Sequence, residues 1–202
     1  MKLSEYLELR NSVVASGYGG DIEWAESVKA PADVMVFTCE YIFVVCNSGM
    51  KAQIAKAIFD RVMTALNQGH HPSTVFGHAG KCDGIWSVWC DRDDWFDRYG
   101  AAADKVSFLE TMPWIGPITK WHLAKNFGVD AVKPDRHLVR VADWYAMTPT
   151  AMCEVLVRES GDRIGTVDYV IWRACNLGFI QSRGTLSAGG AMPGSSGADQ
   201  VP

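Results

Sequence analysis

Apolar residues recur at helical spacing along most of the chain, and this periodicity limits the fold more than any other feature. Ile54, Ile58, Val62 and Leu66 form an i,i+4 stripe, widened by Ala55, Phe59 and Met63. Lys56, Asp60, Arg61 and Thr64 fall on the opposite side. Such a pattern is an amphipathic helix lying on a core. Leu3, Tyr6, Leu7 and Leu9 predict another helix over 1–12. Further helices are expected at 85–90, 93–99, 101–111, 118–127, 134–146, 149–160 and 166–177, with Gly128 and Gly161 closing two of them. The run VMVFTCEYIFVVC at 34–46 has strand propensity. Its helical surroundings and single charge, Glu40, favour a buried helix instead. Residues 13–33, with the turn former GYGGD, read as mixed, and 69–85, with HHP and FGHAG, as loop-like. The expectation is an all-α chain with one compact unit at 1–181. The Gly/Ser-rich end at 182–202 is expected to be a disordered tail.

Composition narrows the class. A hydrophobic share of 48% is ample for a core. The apolar run from Tyr41 to Cys46 is too short to span a bilayer, and MKLSEYLELRN lacks the apolar centre of a signal peptide. The six Cys include no CxxC pair and read as reduced thiols, so a cytoplasmic protein without membrane contact is expected. The net charge of -4 argues against one large basic face. Residues 114–140 are locally basic, with five Lys or Arg against two Asp.

That basic stretch opens with MPWIGPITKW. Two helical stretches, spanning 103–128 together, are joined there by a very short turn. Gly116 can take conformations closed to other residues and lets an anion approach the backbone. Amides at the start of the second helix lack intrahelical partners, which suits phosphate. Lys120, Lys125 and His122 are close in sequence. Trp114 either reaches into a nucleic-acid groove or lies on the protein surface. The plain alternative is a simple αα-turn. Beyond it, KPDRHLVRVADW places Asp135 straight after a proline at a helix start, where the dipole favours a carboxylate. Capping alone would also explain an Asp there.

Taken together, the two segments resemble the helix-hairpin-helix and catalytic-Asp region of the DNA glycosylase superfamily. Pro113, Ile115, Gly116 and Thr119 match the hairpin, Asp135 the essential Asp, His137 the common following His, and Arg140 the Arg of the same helix. The resemblance implies an all-helical fold in two lobes, a hairpin that grips the backbone of double-stranded DNA, and a flipped base in the cleft. It also implies a structural monovalent cation on hairpin carbonyls. Ile118 stands where bifunctional members carry a Schiff-base Lys, so lyase chemistry is not implied.

The stretches EYIFVVCNSGMKAQIAKAIFDRVM and VFGHAGKCDGIW, with the hairpin, are similar to a phage-associated branch of this fold that hypermodifies thymine. Its members are amino acid:DNA transferases related to the α-glutamyl/putrescinyl thymine pyrophosphorylase group. This likeness spans roughly residues 35–178. It implies transfer of an amine such as glycine onto flipped, pyrophosphorylated 5-hydroxymethyluracil, after a separate 5-hydroxymethyluracil DNA kinase has acted. It would place a phage-encoded chain in the host cytoplasm. Asp135 would handle the amine's proton, and Lys133, Arg136 and Arg140 are nearby cations for the leaving group. Glu40, Asn47, Ser48 and Asp168 are candidates for the remaining pocket wall. Their plain alternatives are caps: Asn47 and Ser48 for the helix that follows, Asp168 for the last helix. Two other functions stay open: a monofunctional glycosylase, with Asp135 stabilising positive charge at C1′, and a DNA-binding module without catalysis. His71, His78, Cys82 and Cys90 form a loose zinc-like set, and Asp91 to Asp97 a magnesium-like one. A surface loop and a solvated face are the preferred readings, with no metal assigned.

Overall fold

The computed structural model describes residues 1–50 and 52–181, and the tail expected at 182–202 lies outside them. Among the described residues the structure is helical, with no strand. The helices are α1 (Leu3–Val13), α2 (Gly19–Ser27), α3 (Val34–Asn47), α4 (Ala52–Asn67), α5 (Ala79–Cys90), α6 (Arg92–Ala101), α7 (Lys105–Leu109), α8 (Thr119–Asn126), α9 (Arg136–Asp143), α10 (Pro149–Ser160) and α11 (Ile164–Asn176).

Buried side chains fall into two clusters, each built around one helix. The strand-prone run at 34–46 is α3, the centre of the first. Asp33 caps it by accepting the amides of Met35 and Val36, both at 2.8 Å. Phe37, Tyr41, Ile42, Val44, Val45 and Cys46 are fully buried. A helix apolar nearly all round must be enclosed, and α3 packs against α4, α5, α6 and α8. Beyond its exposed first turn at Met35 and Val36, burial overrides the local preference of its β-branched residues.

The second cluster gathers both ends of the described chain around α11. Tyr6, Leu9, Val13 and Ile22 meet Leu138, Val141, Met152, Leu156, Val167, Val170 and Ile171. Polar ties close it: Arg163 reaches the carbonyl oxygens of Ala25, Val28 and Gly128, and Tyr6 donates to Asp162.

The chain crosses between the clusters twice, near residues 28–33 and 128–132, and the crossings touch. Gly128 has φ 74°. A Cβ there would lie 2.6 Å from the carbonyl carbon of Lys29 and 2.8 Å from the amide nitrogen of Ala30. The helix end expected at Gly128 is thus also the point where two backbones cross.

Several expectations need correction. Within the mixed stretch, residues 19–27 form α2, joined to α1 through a π-helical segment, Val14–Tyr18, kinked at Gly17 with φ 91°. The loop expected up to residue 85 is helical from Ala79, because His78 caps α5 by accepting the Lys81 amide. Ser48 terminates α3 rather than opening α4, its amide bonding the Val44 carbonyl. Asp168 caps nothing. It lies a full turn inside α11, and Asp130 takes the first amides of that helix instead.

Candidate active site

The turn between α7 and α8 is held from several sides. Met112 and Ile115 are buried, and the Ile115 amide bonds the Met112 carbonyl. The Tyr41 hydroxyl donates to the Pro113 carbonyl at 2.9 Å. Thr119 Oγ1 accepts the Gly116 amide at 2.7 Å, so that N–H has an internal partner. The left-handed residue here is Trp114, φ 62°, while Gly116 does not use the freedom that its missing side chain allows. Its ring lies on α5, where a Cβ at Gly80 or Gly84 would come within 2.5 or 2.7 Å of it. His78 packs edge-on at 4.9 Å between centroids. Trp114 is still 47% exposed, so one face remains open. The missing side chains of both glycines leave the room that this indole fills.

The hairpin's cations are not equivalent. Lys120 pairs with Glu110 at 2.5 Å and lies over Trp121. Lys125, grouped by sequence with the phosphate contacts, turns inwards and pairs with Asp168 at 2.7 Å. His122 is partly buried, and desolvation, then Lys133 and Lys125, push its imidazole down to about 3. It is therefore neutral near pH 7.

Asp168 joins the two clusters. Its Oδ2 accepts Lys125 Nζ from α8 and the backbone amide of Lys133, each at 2.7 Å. Burial pushes the carboxyl upwards, against the opposing pull of Lys125 and of the Lys133 amide. One buried oxygen thus fixes the end of the hairpin helix and the segment leading into α9.

That segment carries Lys133 and Asp135. The Asp135 amide bonds the Lys133 carbonyl at 2.7 Å, closing a three-residue turn over Pro134. Asp135 caps α9: Oδ1 accepts the amides of His137 at 2.8 Å and Leu138 at 3.2 Å. Among the described residues Oδ2 accepts nothing, and the carboxylate is only partly buried. Capping and an open oxygen therefore coexist in one side chain. Lys133 is likewise partly buried and forms no ion pair among the described residues. Burial lowers its pKa first, and Asp135 is the strongest charge holding it up.

Other candidates sit further out. Arg136 is exposed, and Arg140 donates to the Ile180 carbonyl and stacks on Trp144. Burial lowers the His137 imidazole, partly offset by Asp135. Glu40 accepts from Asn126 at 2.8 Å, and burial raises its carboxyl. Asn47 and Ser48 end α3, where buried Lys81 donates to the Ser48 carbonyl at 2.6 Å. No group of three or more His, Cys, Asp or Glu among the described residues is placed to hold a metal ion. His71 faces Trp86, Cys82 donates to the Phe76 carbonyl, and Cys90 is exposed. A surface cavity of about 280 Å³ lies elsewhere, lined by Arg61, Thr64, Gln68 and His70 among others.

No family model, no curated protein and no solved structure matches the chain.

Proposed function

We propose that the chain is a DNA base-modifying enzyme of the two-lobed helix-hairpin-helix type, acting as an amino acid:DNA transferase. The hairpin holds one strand of double-stranded DNA, and a pyrophosphorylated 5-hydroxymethyluracil flips towards Asp135. A kinase acting earlier supplies that base, and the reaction takes place in the cytoplasm, the host's for a phage-encoded chain. The observation that carries this reading is Asp135, which caps α9 with one oxygen and keeps the other open beside Lys133.

The chemistry follows from that oxygen. The incoming ammonium gives a proton to Asp135 and becomes a nucleophilic amine. Its nitrogen lone pair attacks the exocyclic methylene carbon. The bond from that carbon to oxygen breaks, and pyrophosphate leaves with the electron pair. Arg136, exposed on the first turn of α9, is the cation freest to meet the departing charge. Ile118, 44% exposed at the start of α8, offers no amine for a Schiff base.

The test is product identity. DNA carrying the pyrophosphorylated base is incubated with the protein and a mixture of amino acids, then digested for nucleoside mass spectrometry. An amine adduct is expected. Abasic sites without an adduct would move the assignment to a monofunctional glycosylase using the same Asp135. Binding without either product would leave a DNA-binding module.

A further inference from the structure

We infer that Lys133 and Asp135 together form a clamp for the zwitterionic end of a free amino acid, Lys133 taking the α-carboxylate and Asp135 Oδ2 the ammonium. This rests on the transferase reading and adds which end of the co-substrate each residue reads.

Lys125, Asp168, Lys133 and Asp135 meet at the junction with the neutral His122 imidazole. Lys125 and Asp168 satisfy each other directly at 2.7 Å. Lys133 and Asp135 do not: neither is in an ion pair among the described residues, although only Pro134 separates them. The turn over Pro134 fixes their backbones, with the Asp135 amide on the Lys133 carbonyl. The Lys133 amide is tied to Asp168, and Asp135 Oδ1 is tied to α9. Both backbones are therefore held in place, and the two charged ends feel each other without touching: Asp135 is the strongest opposite charge acting on Lys133, yet no direct ion pair joins them among the described residues.

Partly buried charges of opposite sign that make no direct contact suit a ligand that bridges both. An amino acid carries its carboxylate and ammonium one carbon apart, and binding it neutralises both groups at once. A simple amine would contact Asp135 and leave Lys133 without a direct partner. His122, neutral near pH 7, adds no competing charge. The same contact leaves the amine against the oxygen that must take its proton.

The test compares glycine with glycinamide, which keeps the amine and lacks the carboxylate. Transfer of each is followed by nucleoside mass spectrometry for the full chain and for Lys133→Met and Lys133→Arg. The readout is the glycine-to-glycinamide ratio of kcat/KM, whatever happens to absolute rates. The wild type is expected to favour glycine at least tenfold, mainly through KM. Lys133→Met should bring the ratio close to one, and Lys133→Arg should restore part of it. A ratio unchanged in Lys133→Met overturns the clamp and returns Lys133 to the leaving group. Saturation-transfer NMR of glycine and glycinamide with the protein, without DNA, separates this from the reaction itself. If no adduct forms with any amine, the transferase reading falls. A glycine preference in the NMR that Lys133→Met abolishes still supports the clamp, and its absence or persistence overturns it.

Discussion

Asp168 in α11 accepts the backbone amide of Lys133, 35 residues earlier, at 2.7 Å, and through the same oxygen it pairs with Lys125. This buried carboxylate sets where the segment carrying Asp135 begins. Asp168→Ala should leave Lys125 without its partner and cost about 3–5 kcal/mol, the usual penalty for breaking a buried pair from one side. Lys125→Met combined with Asp168→Leu should cost clearly less, since no buried charge is stranded. Denaturant midpoints for the three proteins check this. A small loss for Asp168→Ala would mean that the pair is solvated.

Gly128→Ala should be among the most damaging single-methyl changes. It combines a positive φ with a Cβ 2.6 Å from the backbone of Lys29. Strain and overlap of this kind sum to about 3 kcal/mol or more. Gly161→Ala has the same sign of φ, 80°, but nothing within 4 Å of a Cβ. It should cost only about 1 kcal/mol. Thermal unfolding of the two variants gives the comparison.

The pH dependence of stability should carry a His122 signature. The folded-state value of about 3 lies below the ordinary 6.5. Between those limits the unfolded chain binds more protons, so stability falls as pH drops from 6.5 towards 3. His122→Gln should flatten that slope. Midpoints at pH 7, 5.5 and 4.5 measure it, and an unchanged slope would place the imidazole in solvent.

Trp114 and its glycines should behave as a unit. Gly84→Val would push a branched side chain into the indole ring and lift it from α5. The Trp114 indole N–H resonance should shift, and DNA affinity should fall with it if the hairpin is the DNA grip. Trp114→Ala should itself cost about 2 kcal/mol, below the figure for a fully buried aromatic because the residue is 47% exposed.

The helices were legible where local chemistry decides them. The stripe of α4, the Thr148 cap and Gly161 end of α10, and the start of α9 at Asp135 follow from short-range signals. α2 was not legible because its glycines argue for a turn, and it is held instead by Arg163 and α11. The start of α5 was hidden because its cap is a histidine, outside the usual set. At the site, Asp135 could be read from its place after Pro134. The Lys125–Asp168 pair could not, because its members lie 43 residues apart. One signal did exist: Asp168 is the lone acid on the face shared by Val167, Val170 and Ile171.

The central claim rests on Asp135, and Asp135→Asn tests it most directly. Asn caps helices about as well as Asp, so α9 should persist and the melting temperature should change little. Transfer of glycine onto pyrophosphorylated 5-hydroxymethyluracil in DNA, measured by nucleoside mass spectrometry, should fall by about 100-fold or more, the usual scale of a lost general base. Adduct formation at the wild-type rate by a folded Asp135→Asn protein would contradict the account.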